Sequence, residues 1–268
     1  MNDSATTDVT AQYLYCLVAA SDDETLAVRG IDDATVSVVT ADGVGAVTSP
    51  TLDQIDTDSE LAVKRLLVAH QRVVDAAMEQ YGTPLPVQAT TAIDGDEDAV
   101  REWLADRSAL LRTELDSLAG DREYHITVTW ADEAATAAAH EADDRLDDLK
   151  RTVEEAGPGE SYLREKQYEG VLGEAVAEVE RELAAETRTH VASVARSVVD
   201  RASASGVSFA KTDGDAVVRL AALTARDDED ALGEALDTIA DREGVTVRFT
   251  GPWAPYSFVP ELEMEGEK

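Results

Sequence analysis

The order of apolar and polar positions assigns most of the elements of this chain. Residues 1–12 carry no apolar periodicity and read as a disordered acidic leader. From Tyr13 to Val18 the chain runs YLYCLV, apolar at every position. A strand covered on both faces has that pattern, so this segment is expected at the centre of a sheet. Val36–Val39 and Val44–Val47 are short β-rich runs flanking Asp42-Gly43, a dipeptide that favours a tight hairpin turn. Val63, Leu66, Leu67, His70, Val74, Ala77, Met78 and Tyr81 then recur at spacings of three and four. That stripe predicts a helix from Thr57 to Tyr81, stopped by Gly82 and Pro84. Pro84 to Ile93 reads as extended. A second helix, Glu97 to Leu118, is expected to bury Val100, Trp103, Leu104, Leu111, Leu115 and Leu118, with Gly120 at its end.

Beyond Gly120 the pattern changes. Tyr124, Ile126, Val128 and Trp130 alternate with His125, Thr127 and Thr129, which is the signature of a half-buried strand. Residues 132–205 are helical in pattern. One helix is capped by Asp132 and stops near Gly157-Pro158-Gly159; a second runs from Ser161 to Ala204. The stripe of the second holds Leu172, Val176, Val179, Leu183, His190, Val194 and Val198. Its near-heptad part reads as a cover for its own sheet, the alternative being a short coiled-coil seam to a partner. Val207–Lys211 and Val217–Thr224 read as strands joined at Asp213-Gly214. An amphipathic helix, Asp227 to Arg242, and a strand through Val245, Val247 and Phe249 close the series. The order strand, helices, strand, strand, helix, strand is that of a ferredoxin-like βαββαβ unit with an enlarged helical first connection. The expected fold class is α+β in two domains, residues 13–120 and 121–259, followed by an acidic tail at 260–268.

Composition adds the setting. A chain of 268 residues with 44% hydrophobic content can bury a real core. No apolar run approaches the ~18 residues that cross a bilayer, and the N-terminus shows no basic stretch followed by an apolar one, so no export signal is read. The single cysteine, Cys16, cannot form an internal disulfide and reads as core. Asp and Glu number 56 against 23 Lys and Arg, a net charge of −33. Such a surface repels nucleic acid phosphates and anionic lipid headgroups, so neither is expected as a partner. Only five of the cations are lysine, and phenylalanine occurs three times. The acids are spread along the whole chain, which points to a protein of a salt-loving cytoplasm.

The chain carries little reactive chemistry. There is no Gly-rich phosphate loop, no G-x-S-x-G elbow and no His-Glu-x-x-His. His70, His125, His140 and His190 are scattered. Carboxylate pairs such as Asp22-Asp23, Asp143-Asp144, Asp147-Asp148 and Asp227-Asp228 arise readily at this composition and read as solvated faces. Asp94-Gly95-Asp96-Glu97-Asp98 lacks the twelve-residue spacing of a calcium loop. No catalytic, cofactor-binding or metal residue is assigned, no cofactor is expected, and the chain reads as a non-enzyme. The competing reading is a small-molecule or metal-binding enzyme using clustered carboxylates, which would need a concave pocket of convergent acids.

Residues 251–259, GPWAPYSFV, stand apart. Together with Phe249, four aromatics fall within ten residues. Pro252 and Pro255 fix the backbone in an extended form, so Trp253, Tyr256 and Phe258 are large anchors on a stiff segment. Gly251, Pro252, Trp253, Pro255, Tyr256 and Phe258 are the candidate partner-binding residues. Trp253, nearest the sheet, is expected to be mainly structural, and Tyr256 and Phe258 to contribute more to binding.

This segment, directly after VTVRFT, resembles the C-terminal signature of gas vesicle proteins of the F/L type. YLYCLVAA, HQRVVDAAMEQYGTPLPV, EWLADRSALLRTEL with HITVTWAD, GESYLREKQ and FAKTDGDAVVRLAAL are similar in kind and order, so the resemblance spans residues 13–259. One departure is Pro86-Val87-Gln88-Ala89-Thr90, where many relatives carry a Pro-Met-Arg-Phe-Gly-like segment. Length and departure incline the resemblance to the L-type branch, in a halophilic archaeon. It implies two α+β domains, the second ferredoxin-like. It also implies a non-enzymatic accessory or minor structural protein of gas vesicles, cytoplasmic and vesicle-associated. Its implied partners are the hydrophobic major shell protein and other accessory proteins during assembly.

Overall fold

The computed structural model describes residues 11–51, 59–157, 159–201 and 216–260. The elements in chain order are β1 (Ala11–Ala19), β2 (Glu24–Arg29), β3 (Thr35–Ala41), β4 (Val44–Thr51), α1 (Glu60–Tyr81), β5 (Leu85–Pro86), β6 (Ala92–Asp94) and α2 (Glu97–Leu118). There follow β7 (Asp121–Trp130), α3 (Asp132–Ala142), α4 (Arg145–Glu154), α5 (Ser161–Val194), β8 (Ser197–Asp200), β9 (Ala216–Ala225), α6 (Glu229–Ala240) and β10 (Val245–Trp253). The chain divides into two compact units. One runs to Glu123 and resumes at Pro252; the other is Tyr124–Gly251.

The first unit is built on a six-stranded sheet in the order β2-β3-β4-β1-β5, with β6 also paired to β1. The hairpin expected at Asp42-Gly43 forms there: Ala41 faces Val44, and both turn residues have positive φ, 49° and 83°. That left-handed pair matches the twist of the two strands. β1 is buried from Gln12 to Val18 because helices pack on it as well as neighbouring strands. Ala11 and Gln12, read as leader, are its first two residues and pair with Thr51 and Pro50 of β4. Residues 1–10 lie outside the described residues. The register between β1 and β4 shifts between Leu14 and Cys16, leaving Tyr15 as an inserted residue. The bulge breaks the two-residue alternation, so Tyr13, Tyr15, Cys16 and Val18 all join one core cluster with Leu66, Val73, Val74 and Ala77 of α1.

Both helices of this unit start on side-chain caps. Ser59 accepts the Ala62 amide at 3.1 Å, and Asp96 accepts the amides of Asp98 and Ala99 at 3.1 and 3.3 Å. α1 therefore starts at Glu60; residues 52–58, which include the expected start at Thr57, lie outside the described residues. The Pro84–Ile93 stretch, read as one extended segment, is two short strands on either side of a turn.

The second unit has a four-stranded sheet in the order β10-β7-β9-β8. Tyr124, Ile126, Val128 and Trp130 all point into one core, as their alternation predicts. Val179, Leu183 and Val191 of α5, Ala135 and Ala139 of α3, and Leu232, Leu236 and Ile239 of α6 close it. Leu172 and Val176 pack against the same cluster, so the near-heptad stretch covers its own sheet. Tyr124 stacks on Phe249 with ring centroids 5.3 Å apart.

Three differences from the sequence expectation concern this region. The helix expected from Asp132 to Gly157 is two helices, broken at Asp143-Asp144. The Asp143 carboxylate turns back onto the Arg145 amide at 3.0 Å and its guanidinium at 2.6 Å, competing with helix continuation. Asp132, read as a cap, is the first helical residue, after Ala131. The long helix ends at Val194 instead of Ala204, because Ser197–Asp200 pairs with β9 from Ser197↔Leu223 to Asp200↔Leu220. The strand expected at Val207–Lys211 and the turn at Asp213-Gly214 lie outside the described residues, as do residues 261–268 of the tail. The fourth difference is the grouping of chain segments. The C-terminal domain read as 121–259 gives way at Gly251, because Ala254 enters the core of the first unit.

Candidate functional site

The GPWAPYSFV segment is docked, and residue chemistry explains how. Gly251 has φ 144°, a conformation that side-chain-bearing residues rarely adopt, so glycine is needed where the strand turns away. Pro252 is exposed and Trp253, at the end of β10, is half-buried. Ala254 and Pro255 are buried, and Ala254 sits in the cluster of Tyr13, Cys16 and Val74. The amide of Tyr256 donates to the Ala254 carbonyl at 2.8 Å, and that of Phe258 to Pro255 at 3.0 Å, so the segment closes in tight turns.

Its clasp is Glu123, a fully buried carboxylate at the start of β7. Ser257 donates its amide to Oε2 and its hydroxyl to Oε1, both at 2.7 Å. Charge-assisted bonds of this kind are among the stronger single contacts in a fold. The Tyr256 hydroxyl reaches Oε1 of Gln71 on α1 at 3.3 Å, while the residue stays 37% exposed. Nearby, Thr83 accepts from Gly120 N at 3.1 Å and from the Arg122 guanidinium at 2.5 Å, and donates to the Asp121 carbonyl at 2.9 Å. Neither Glu123, Gln71 nor Thr83 carried a sequence signal. Glu123 and Ser257 are 134 residues apart, and a buried acid is indistinguishable by pattern among so many exposed ones.

The candidate residues thus divide. Ala254 and Pro255 anchor the segment. Trp253 and Phe258 are half-buried, and Gly251, Pro252 and Tyr256 face outward.

Beneath the docked segment lies a polar network inside the apolar core. Thr90 N donates to the Tyr13 hydroxyl at 3.3 Å, which leaves the phenol proton for His70 Nδ1 at 2.8 Å. Ile31 N likewise donates to Tyr15 at 2.9 Å, and Tyr15 meets Ser49 Oγ at 3.0 Å. The Tyr13 and Tyr15 rings lie 4.6 Å apart, with the His70 ring 5.8 and 5.6 Å from them. Burial pushes His70 down to about 4 and raises both tyrosines. It also raises Cys16, leaving a neutral, inaccessible thiol.

Several of the other acids and histidines flagged by the sequence make structural contacts. Asp23 accepts the Thr40 hydroxyl at 2.6 Å and amide at 2.7 Å, and the Arg101 guanidinium at 2.6 Å. Thr40 first, and Arg101 with it, holds that carboxyl below its usual range. His140 on α3 joins Asp147 on α4 through Nδ1 and Tyr168 on α5 through Nε2, both at 3.0 Å. Asp96, of the calcium-like run, is a helix cap. His125 and His190 are half-buried. A cavity of about 480 Å³ is lined by Ala19, Asp42, Gly43, Arg112, Leu115 and Asp116. Among the described residues no group of three or more His, Cys, Asp or Glu is placed to hold a metal ion, and no helix is long and apolar enough to cross a membrane.

Comparison with known proteins gives this architecture its class. Residues 11–260 match the family described as gas vesicle synthesis protein GvpL/GvpF, and the chain belongs to that family. Within it, the chain is 42% identical to gas vesicle protein L2 of Halobacterium salinarum over 262 residues, covering 94% of this chain and 92% of that one. It is 39% identical to gas vesicle protein L1 of the same organism over 255 residues, covering 94% and 91%. The crystal structure of GvpF from Anabaena sp. PCC7120 superposes with a TM-score of 0.73 at 20% identity, covering 94% of this chain and 98% of that one. The mixed α/β fold with antiparallel sheets is shared with that structure. The halophilic relatives matched over most of this chain are L proteins, in line with the branch and habitat read from the sequence.

Proposed function

We propose that this chain is a non-enzymatic accessory or minor structural protein that binds the hydrophobic shell subunit and other accessory proteins during gas vesicle assembly. Family membership over residues 11–260 carries the reading. The docked C-terminal segment adds a physical means. Ala254 and Pro255 are buried while Tyr256 remains on the surface beside α1. An aromatic anchor held on a rigid, proline-stiffened segment loses little entropy when it meets an apolar client. The strand order β10-β7-β9-β8 supports a ferredoxin-like second domain, with α3, α4 and α5 as the enlarged first connection. The protein works in the cytoplasm and at the vesicle.

The test is capture of the shell subunit in molar KCl by the wild type and by Trp253→Ala, Tyr256→Ala and Phe258→Ala. Tyr256→Ala is expected to lose capture with little loss of melting temperature. Trp253→Ala is expected to lose melting temperature first. Absence of capture by the wild type, with metabolic enzymes recovered instead, refutes the reading.

A further inference from the structure

The outer face of α1 departs from the rest of the molecule. Between Leu61 and Val74 the helix has no acidic residue, in a chain where acids outnumber cations 56 to 23. Its inner face, Leu66, His70, Val73, Val74 and Ala77, is buried. On the opposite side Leu61, Arg65, Val68 and Arg72 follow at spacings of four, three and four, which places them in one line along the helix. Leu61 is 58% exposed and Val68 48% exposed, and both arginines are exposed.

The arginines are also unspent. Arg101, Arg145, Arg151, Arg181, Arg188 and Arg242 each meet a carboxylate. Lys64, beside the line, meets Glu60 at 2.5 Å. Among the described residues Arg65 and Arg72 meet none. Two unpaired guanidinium groups alternating with two exposed aliphatic side chains form an apolar and cationic stripe on a protein of net charge −33.

We propose that this stripe is a docking surface for an acidic amphipathic helix of a partner protein. The line covers eleven residue steps, about 17 Å, the length of three helical turns. A helix laid along it meets Leu61 and Val68 with its own apolar positions. It brings Asp or Glu, seven residues apart, to Arg65 and Arg72. Guanidinium and carboxylate groups pair at contact, in a planar two-bond geometry that concentrated salt screens less than it screens repulsion at a distance. Nucleic acid or an anionic membrane would meet the remaining acidic surface, which two free arginines do not offset. A second copy of this chain brings its own −33. The surface is separate from the aromatic anchor of the C-terminal segment and asks for a different chemistry: an acid-bearing helix rather than an apolar shell subunit.

The probe is a fluorescein-labelled peptide helix with leucines on one face and two glutamates seven residues apart. Its control is a scrambled peptide of equal composition. Anisotropy is measured in molar KCl against the full chain. The wild type is expected to bind the patterned peptide and not the scrambled one. The Arg65→Glu/Arg72→Glu variant is expected to bind at least about tenfold more weakly, with an unchanged circular dichroism spectrum, since both side chains are exposed. Leu61→Asn/Val68→Asn should weaken binding comparably, and carries the test if the charge-reversal variant misfolds. Equal binding by wild type and variants, or of both peptides, overturns the proposal. So does capture of duplex DNA or of phosphatidylglycerol vesicles through Arg65 and Arg72 in place of the peptide. Sedimentation showing a wild-type dimer abolished by the same substitutions, without peptide binding, assigns the stripe to a second copy and also overturns it.

Discussion

Mild acid is expected to weaken the first unit through one residue, His70. Its ring is 3% exposed, takes a hydrogen bond from Tyr13 at Nδ1, and has no partner in hydrogen-bonding geometry at Nε2. Burial moves its pKa from 6.5 to about 4, opposed in part by the backbone at Val87. Between those values the unfolded chain holds a proton that the folded chain refuses, so stability is complete above pH 6.5 and falls as the pH drops toward 4. The shift corresponds to about 3 kcal/mol over the whole window, of which about 2 is lost by pH 5. The numerous carboxylates titrate in the same range, so the measurement is a difference. Urea unfolding in molar KCl is followed by circular dichroism for the wild type and for His70→Gln, at neutral pH and near pH 5. The variant starts less stable, having lost the Tyr13 contact, but carries no histidine term. The stability gap between the two proteins should therefore narrow by about 2 kcal/mol on acidification. Parallel profiles would mean that His70 takes up its proton as easily folded as unfolded, and the account of the buried network would fail.

Ser257→Ala removes the hydroxyl bond to the buried Glu123 carboxylate at 2.7 Å, and is expected to cost about 1.5–3 kcal/mol. Faster amide exchange at residues 254–258 checks it; unchanged exchange would show that the clasp is incidental. Leu183→Ala, at a fully buried position of α5, should cost about 2–5 kcal/mol. Leu163→Ala, 73% exposed on the same helix, should stay within about 0.5 kcal/mol in denaturant titrations. Dialysis from molar salt to ~50 mM should loosen the fold, since the Debye length grows from ~3 Å to more than 10 Å. A flat circular dichroism signal across that range would dissociate the acidity from salt adaptation.

Local chemistry was legible wherever a local rule decides the structure. Asp42-Gly43 gave its hairpin, Gly82 and Gly120 their helix ends, and the alternation from Tyr124 to Trp130 its inward face. Val194 and Val198 misled because a spacing of four suits one side of a helix and one side of a strand alike. Only the pairing of Ser197–Asp200 with β9 decides between them. The break at Asp143-Asp144 was hidden because aspartate is tolerated in the first turn of a helix as well as at a cap. The candidate site was half legible. The proline-stiffened aromatic segment announced itself, but its landing place depends on Glu123, Gln71 and Ala254, which meet only through the folded chain.

The ion pairs show why so acidic a chain needs its solvent. Several are neighbours on one helix: Glu60 with Lys64, Asp98 with Arg101, Asp148 with Arg151, Glu169 with Lys166 and Glu178 with Arg181. Pairs of this kind contribute about 0.2–0.5 kcal/mol each and tie a helix only to itself. Longer links join separate elements, such as Arg101 to Asp23 and Arg188 to Asp200, yet with 23 cations against 56 acids an excess of 33 acids remains however the cations are paired. The cations therefore leave most of the acidic surface unneutralised. Its screening falls to dissolved salt, while the two cores rest on apolar packing that concentrated salt strengthens. Among the described residues such a fold can leave Arg65 and Arg72 unpaired, because α1 has no acid within four positions of Arg65, and Asp75, three positions from Arg72, accepts from Gln71 at 2.7 Å. Their availability follows from the same sequence economy that makes the rest of the surface acidic.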